Sequence, residues 1–330
     1  MSSPLVLLTD PIDEMVAADL RAFARAVVAR PEVPLHEQVG DAHAIIVRRP
    51  IAEDVLEAAP NLLILARHGV GVDILPLEEA TERGIAVINA PAANAQSVTE
   101  HAIALMLSLT RSIRIGDQAV RAGEWIARDH LMPTELSGKR LLLLGIGEIG
   151  RRVARVGLAM GLEIVALDQQ ALEIPGIEVR PPSELHRSLA EADVISLHLP
   201  LTPATRKILG PREFACVREG AILINTARGE LIDEAALLTA LRDGRIAAAG
   251  LDVFDDEPVP LGHPLTLLDN VVLTPHLAYK SRESLRRTGE SVIGGLRELF
   301  EGTQPANLVN KSVWLAFQKR LASHGLSPIS

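Results

Sequence analysis

The sequence predicts an α/β fold built from two units, each with a parallel β-sheet covered by helices. The chain has 330 residues, of which 48% are apolar, enough for two cores of ordinary domain size. Short apolar runs, typical of buried parallel strands, alternate with amphipathic helical patterns along most of the chain. An irregular stretch at 121–139, with Gly123, Pro133 and Gly138, separates two such alternating blocks.

The first block runs from the N-terminus to residue 122. Apolar runs predict strands at 5–8, 44–47, 62–66 and 85–88, and helical periodicity predicts helices at 13–29, 52–59 and 76–83. Gly84 stands where a left-handed residue would end the last of these helices. A long helix is then predicted at 98–122, because Ala102, Leu105 and Leu109 recur on one side.

The second block repeats the alternation after residue 139. Strands are predicted at 141–144, 164–167, 194–197, 221–225, 247–251 and 271–274, and a closing helix at 281–300. The segment 173–182 contains three prolines and one glycine, which predicts a surface loop.

Composition excludes several classes of protein. Lys and Arg number 33 against 42 Asp and Glu, a formal charge of −9, which argues against a nucleic-acid-binding surface. No apolar run reaches the roughly 18 residues of a membrane span, and 1–10 lacks the cationic start of a signal peptide. The single cysteine, Cys216, fits the reducing cytoplasm, and the ten histidines form no HExxH or Cys–His pattern, so no metal site is expected.

The strongest local signal is a glycine-rich turn between a predicted strand and helix. Gly145, Gly147 and Gly150 follow the strand 141–144, and Asp168 ends the next strand, 18 positions after the last glycine. That spacing and context are typical of dinucleotide binding, with the pyrophosphate at the helix N-terminus. Asp168 can accept hydrogen bonds from a ribose diol and would repel a 2′-phosphate, which favours NAD over NADP. The alternative is a glycine turn that binds no cofactor.

Charged residues follow three further strands. Arg228 comes after 221–225, Asp252 and Glu257 after 247–251, and His276 after 271–274, so all are expected at the carboxyl edge of the sheet. Arginine can hold a carboxylate or polarise a carbonyl, and a carboxylate beside histidine favours the imidazolium that donates a proton. Taken singly, each residue has an ordinary structural explanation. Together with the glycine turn they favour a catalytic site for a carbonyl-bearing anion.

The sequence resembles the D-isomer-specific 2-hydroxyacid dehydrogenases, which include phosphoglycerate dehydrogenase, hydroxypyruvate/glyoxylate reductase and D-lactate dehydrogenase. The matching segments occur in family order across about 45–285, at 66–73, 89–91, 99–106, 145–150, 198–203, 225–229, 251–258 and 274–276. The resemblance implies two Rossmann-like or flavodoxin-like domains. A discontinuous substrate domain would contain 1–98 and 283–330, and an inserted NAD-binding Rossmann domain would contain 99–282.

The resemblance also implies site residues. Arg228 would orient the substrate, with Glu257 as the carboxylate partner of the acid/base His276. The backbone of Gly69, Val70 and Gly71 would hold the substrate carboxylate, and Arg48 and Arg67 stand where related enzymes carry cations for a distal phosphate. The implied NAD contacts are Gly145, Gly147, Glu148, Ile149, Gly150, Asp168, Leu199, Pro200, Thr226, Ala227, Arg228, Asp252 and His276. Glu148 is expected to use its backbone N–H and to turn its side chain to solvent.

Several alternatives stay open at this point. A homodimer through the long helix and the 121–139 segment is implied by the resemblance. Tyr279 could pack over the substrate or fill an interface, and the substrate could be phosphorylated or not. A formate-dehydrogenase-like enzyme would pair the histidine with glutamine, so Glu257 favours a hydroxy acid. A non-enzymatic NAD-sensing scaffold, like the C-terminal binding protein corepressors, is the remaining alternative.

Overall fold

A computed structural model describes residues 3–324, which form twelve strands and eleven α-helices. The strands are β1 (Leu5–Leu8), β2 (Arg25–Val28), β3 (Ala44–Val47), β4 (Ile64–Arg67), β5 (Ala86–Ile88), β6 (Arg140–Leu144), β7 (Glu163–Leu167), β8 (Ile177–Arg180), β9 (Val194–Leu197), β10 (Ala221–Asn225), β11 (Ile246–Leu251) and β12 (Val271–Leu273). The helices are α1 (Glu14–Arg21), α2 (Glu53–Glu57), α3 (Leu77–Glu82), α4 (Ala95–Thr110), α5 (Ile113–Arg121), α6 (Glu148–Ala159), α7 (Leu185–Glu191), α8 (Pro211–Cys216), α9 (Glu234–Arg242), α10 (Arg282–Phe300) and α11 (Trp314–Ser323).

The chain divides into two compact units. One contains Met1–Asn94 with Lys280–Ser330, and the other contains Ala95–Tyr279. The junctions therefore stand at 94/95 and 279/280, where the prediction has 98/99 and 282/283. The parts of the predicted substrate domain at 1–2 and 325–330 lie outside the described residues.

The first unit contains a five-stranded parallel sheet in the order β2-β1-β3-β4-β5. Successive residues of a strand face opposite sides, so β1 directs Leu7 to one layer of helices and Val6 and Leu8 to the other. Helices α10 and α11 cover one face, where Phe300 and Phe317 are fully buried. Burying one such side chain stabilises the fold by about 1.5–3 kcal/mol. Helices α2 and α3 cover the other face.

The second unit contains a seven-stranded parallel sheet in the order β12-β11-β10-β9-β6-β7-β8. Four consecutive leucines make β6 a continuous buried run, as a strand covered on both faces requires. Helix α4 lies against β11, because Gly250 has no side chain: a Cβ there would stand 2.9 Å from the Cβ of Leu105. The two parallel sheets confirm the predicted α/β class.

Both sheets have a point where the chain changes its direction of winding. In the first unit, the chain passes from β1 to β2 on one side and then returns to β3 on the other. In the second unit, β6 leads to β7 and β8 on one side, and β9 begins the other side. Ligands of open α/β sheets bind outside the carboxyl ends of the strands at these points.

Some predicted elements are wrong. The helix predicted at 13–29 ends at Arg21, and 25–28 form the edge strand β2, whose mostly exposed pattern gave no alternation to detect. The helix predicted at 98–122 is interrupted between α4 and α5, where Ser112 adopts a left-handed φ of 53°. The predicted loop at 173–182 contains the edge strand β8, and α11 was not predicted. Gly84 has the expected left-handed conformation, with φ of 71°.

Among residues 3–324, no helix combines the length and apolar character needed to cross a bilayer. Within the same residues, no group of three or more His, Cys, Asp or Glu side chains is arranged to hold a metal ion.

Candidate active site

The glycine turn between β6 and α6 lies at the winding change of the second sheet. Gly145 has φ of 99°, and a Cβ there would stand 2.7 Å from the carbonyl oxygen of His198, in the loop after β9. A Cβ at Gly150 would stand 2.3 Å from the carbonyl oxygen of Gly145, so the helix packs directly on the turn. A Cβ at Gly147 would meet nothing within 4 Å, which leaves open space beside the turn.

The N-terminus of α6 faces that turn. Gly147 is the N-cap and supplies no side chain to bond the first N–H groups of the helix. Free N–H groups and the helix dipole favour an anion at this position. The side chain of Glu148 is 65% exposed and lies 3.8 Å from Arg152, so it turns to solvent as expected.

Asp168 follows β7, the neighbour of β6. Its carboxylate accepts a hydrogen bond from the N–H of Gln170 at 3.0 Å and a longer one from Ile146 at 3.4 Å.

Other predicted cofactor contacts follow the next two strands of the sheet. Leu199 and Pro200 follow β9, and Thr226 and Ala227 follow β10. The Thr226 hydroxyl is buried and has no hydrogen-bond partner among the described residues. An open glycine cradle, a carboxylate at the end of β7 and an unpaired buried hydroxyl together fit a dinucleotide.

Arg228 stands on a tight loop after β10. Asn225, fully buried, accepts the N–H of Ala227 at 3.0 Å and donates to the carbonyl of Arg228 at 2.8 Å. Gly229 brings this loop against the loop after β11, because a Cβ there would stand 2.0 Å from the carbonyl carbon of Phe254. The two loops therefore lie side by side at the carboxyl edge of the sheet.

His276 and Glu257 form a hydrogen-bonded pair at that edge. His276 Nδ1 lies 2.6 Å from Glu257 Oε2, and Glu257 also accepts the N–H of Phe254 at 3.1 Å. Burial alone would raise the pKa of Glu257, but the hydrogen bond and charge of His276, the Phe254 N–H and the charge of Arg228 together lower it. Glu257 is therefore a carboxylate at neutral pH, with the histidine ring fixed beside it.

The backbone conformation of His276 is unusual. Its φ is 49°, in the left-handed region that non-glycine residues rarely adopt. Its N–H donates to the Asp252 carbonyl at 2.8 Å, which helps to hold this conformation. The ring of Tyr279 packs edge-on against the imidazole, with centroids 6.0 Å apart.

Asp252 organises the loop that carries His276. It is fully buried, and its carboxylate accepts the Thr274 hydroxyl and the N–H groups of Leu277 and Ala278, the latter two at 2.9 and 2.8 Å. His101 of α4 lies 2.9 Å from the Thr274 hydroxyl through its Nε2. The contact between His101 and Thr274 was not predicted. Both residues lie in segments that resemble the family, but nothing in the spacing joins residues 173 positions apart.

The predicted substrate-binding residues Arg48, Arg67, Gly69, Val70 and Gly71 lie in the first unit, at the carboxyl ends of β3 and β4. The Arg67 guanidinium donates to the carbonyl of Gly71 at 3.0 Å and to that of Val47 at 3.2 Å, and so braces the turn. Among the described residues, the N–H groups of Val70 and Gly71 donate to no acceptor. These two N–H groups are therefore available to an anion.

Comparisons with known proteins agree on one family. Residues 103–278 match the family model of the D-isomer specific 2-hydroxyacid dehydrogenase, NAD binding domain. The chain is 38% identical to D-3-phosphoglycerate dehydrogenase of Methanocaldococcus jannaschii, over 92% of its own length and 59% of that relative. It is 36% identical to glyoxylate reductase of Korarchaeum cryptofilum, over 94% of its own length and 97% of that relative. The chain thus spans about three fifths of the first relative and nearly all of the second.

Solved structures show the same fold. The crystal structure of a protein from Thermus thermophilus matches with a TM-score of 0.84 and 36% sequence identity. The match covers 92% of this chain and 99% of that one.

Proposed function

Because the chain belongs to the D-isomer specific 2-hydroxyacid dehydrogenase family, we propose that it is an NAD-dependent oxidoreductase interconverting a D-2-hydroxy acid and its 2-oxo acid. The observation that carries the proposal is the 2.6 Å hydrogen bond between His276 Nδ1 and Glu257 Oε2. Since β6 and β12 are parallel strands of one sheet, this pair lies at the same edge as the glycine turn. A proton carrier and a cofactor-binding turn on one edge are the parts that this reaction needs.

The cofactor would be held by the edge residues of the second unit. In the proposal, the backbone of Gly145, Gly147, Glu148, Ile149 and Gly150 surrounds the pyrophosphate, and Asp168 accepts hydrogen bonds from a ribose. The remaining proposed contacts are Leu199, Pro200, Thr226, Ala227, Arg228, Asp252 and His276. When bound, NADH supplies the hydride that C2 of the 2-oxo acid receives.

His276 supplies the proton. Because Nδ1 bonds to Glu257, Nε2 is the ring nitrogen left to face the substrate, and the imidazolium donates its proton to the carbonyl oxygen during reduction. The carboxylate of Glu257 stabilises the charged ring before the transfer. In oxidation the neutral ring takes the proton from the hydroxyl group. The overall balance is 2-oxo acid, NADH and one proton to 2-hydroxy acid and NAD⁺.

Arg228 orients the substrate and stabilises the negative charge that develops on its oxygen. A well-placed donor of this kind is worth about 2.7–4 kcal/mol of barrier. We assign the substrate carboxylate to the free N–H groups of Val70 and Gly71, with Gly69 completing the turn. Arg48 and Arg67 complete the proposed substrate-binding residues, with Arg67 acting through the turn that it braces.

Two substrate types agree with the names of the relatives, a glyoxylate or hydroxypyruvate type and a 3-phosphoglycerate type. A spectrophotometric screen of NADH loss would separate them, using glyoxylate, hydroxypyruvate, pyruvate and 3-phosphohydroxypyruvate. We expect saturable NADH oxidation with at least one of these. Replacing His276 with Ala should lower turnover about 10²–10⁴-fold. If NADH binds tightly but none of the four 2-oxo acids supports its oxidation, that result favours a non-enzymatic NAD-sensing scaffold.

We also propose that the protein forms a homodimer. Helix α5 contains no buried residue, and its apolar side chains Ile113 and Val120 are 56% and 60% exposed. The following segment exposes Trp125, Ile126 and Met132 by 67%, 72% and 88%. Exposed apolar side chains concentrated in one part of the chain favour burial against a second copy.

A further inference from the structure

A second histidine of the second unit lies beside the loop that carries His276. His101 belongs to the second turn of α4, four residues before Leu105. Residues four apart lie on the same face of a helix, so these two side chains point the same way. Leu105 packs against Gly250 of β11, where a Cβ would stand 2.9 Å from the leucine Cβ. The close approach that this glycine permits helps to bring His101 to the end of β11, beside Asp252.

Asp252 holds the His276 loop from a fully buried position. Its carboxylate accepts the Thr274 hydroxyl, and also the N–H groups of Leu277 and Ala278 at 2.9 and 2.8 Å. Its backbone carbonyl accepts the N–H of His276 at 2.8 Å. One residue thus bonds to four positions of the loop, including the left-handed one. A movement of Asp252 would therefore be transmitted to the backbone of His276.

The hydrogen positions between α4 and this loop follow from the acceptors. Asp252 accepts on both carboxylate oxygens, as an ionised group does, so the single hydroxyl hydrogen of Thr274 goes to it. The Thr274 oxygen then offers only lone pairs to Nε2 of His101, which lies 2.9 Å away. The same nitrogen lies 3.5 Å from the Asp252 carboxylate. Because it faces two acceptors, Nε2 of His101 carries a hydrogen and donates it to Thr274.

This chain of hydrogen bonds is largely shielded from water. The side chain of His101 is 18% exposed and that of Asp252 is fully buried. Removing a donor from such a place leaves an oxygen that solvent cannot readily satisfy, and the remaining partners rearrange. The partner that would rearrange here is the Thr274 hydroxyl, which follows the same strand as His276.

We propose that His101 is a positioning residue for the acid/base histidine. Its Nε2–H fixes the Thr274 hydroxyl on Asp252, and Asp252 fixes the backbone that presents His276. His101 acts only through these two residues. The kinetic consequences rest on the proposed function, since a proton donor that is displaced by a fraction of an ångström transfers its proton more slowly.

The first test reads the position of His276 without any substrate, from the Cε1–H signal of its ring in ¹H–¹³C NMR spectra of the full chain. Its absence in His276→Ala assigns the signal. His101→Phe keeps a ring of similar size and removes the donor, so we expect the His276 signal to shift. His101→Gln provides an amide N–H near the position of Nε2 and should restore the wild-type signal. His186→Phe, at a 57% exposed histidine of the same unit, is the control and should leave the signal in place.

The second test is kinetic and uses the best 2-oxo acid of the screen. His101→Phe should lower kcat about tenfold, because small displacements of a catalytic group are costly. It should also raise the solvent deuterium isotope effect on kcat, since proton transfer becomes slower. A smaller fraction of folded enzyme would lower kcat without changing this isotope effect. His101→Gln should recover both values.

Thr274→Val removes the hydroxyl at nearly the same shape and should lower kcat in the same way. The double variant His101→Phe/Thr274→Val should lose no more than the worse single variant, because both substitutions interrupt one chain of hydrogen bonds. Losses that multiply would show that the two residues act independently, and would overturn the proposal.

An unmoved His276 signal or an unchanged kcat in His101→Phe would also overturn it. If His101→Phe does not fold, Thr274→Val, measured in the same two ways, decides the question. A wild type that oxidises NADH with none of the four 2-oxo acids would refute the proposed function. The NMR comparison would then still decide whether His101 positions His276.

Discussion

Replacing Glu257 with Gln tests whether this carboxylate stabilises the protonated ring of His276. Glutamine has nearly the same shape and retains an oxygen that can accept from Nδ1, so the substitution removes the charge while leaving the hydrogen bond possible. The side chains of His276 and Glu257 are 41% and 35% exposed. The pair is therefore neither buried in apolar surroundings nor fully solvated.

The expected loss follows from that exposure. Unit charges about 4 Å apart interact by about 1 kcal/mol in water and about 4 kcal/mol at the effective dielectric constant near a protein surface. Solvent screening of a pair this exposed favours the lower part of that range, about 1–2 kcal/mol. If the charge acts fully in the transition state, kcat/KM for reduction should fall about 5–30-fold.

The assay is kcat/KM for NADH oxidation with the best 2-oxo acid of the screen, at pH 7. Asp256→Asn, in the same acidic loop and exposed, is the matched control and should stay close to wild type. Unchanged activity in Glu257→Gln, with a large loss in His276→Ala, would refute charge stabilisation by Glu257. An equal loss of kcat/KM in the Asp256→Asn control would show instead that the effect comes from the charge of the loop as a whole.

Three other measurements address the cofactor, the first unit and the oligomer. Asp168→Asn should reduce the preference for NADH over NADPH about tenfold, measured as the ratio of kcat/KM values, since hydrogen bonds to a charged group contribute about 1.5–3 kcal/mol. Burial lowers the pKa of His68 from 6.5 in the unfolded chain to about 4 in the folded protein. Between these two pH values, His68 therefore binds a proton in the unfolded chain but not in the folded protein. The free energy of unfolding should fall by up to about 3 kcal/mol as the pH decreases through that window, and His68→Phe should remove this part of the slope in urea titrations. Ile126→Glu should convert a dimer to a monomer in light scattering, and a monomeric wild type would contradict the proposed interface.

Much of the fold could be predicted because its signals are local. A run of leucines at 141–144 and glycines at 145, 147 and 150 are typical of one strand, one turn and one helix, and the structure has all three there. The edge strands β2 and β8 could not be predicted in the same way. The side chains of β2 are mostly exposed, and β8 is a short alternating segment with one buried residue, the charged Arg180, so the pairing that makes them strands comes from β1 and β7.

The features of the candidate site also divide into those that local sequence signals predict and those that depend on tertiary packing. Arg228, Glu257 and His276 each follow a recognisable strand, and parallel strands bring their carboxyl ends to one edge, so their neighbourhood could be predicted before any coordinates. The contact between His101 and Thr274 could not, because it depends on how α4 packs across the sheet. Neither could the left-handed backbone of His276, because it depends on Asp252, which accepts hydrogen bonds from the N–H groups of His276, Leu277 and Ala278.

The amino-acid sequence alone determined the α/β class, the dinucleotide turn and the identity of the residues able to carry a proton or hold an anion. These depend on residue type, spacing and the side of a strand, all of which are properties of short segments. Only the tertiary structure decided which buried groups of the described residues lack partners, such as Nε2 of His68, and which distant side chains join one chain of hydrogen bonds, such as His101 and Asp252. Hydrogen-bond satisfaction and the overlap of charges depend on distances between segments that packing alone brings together.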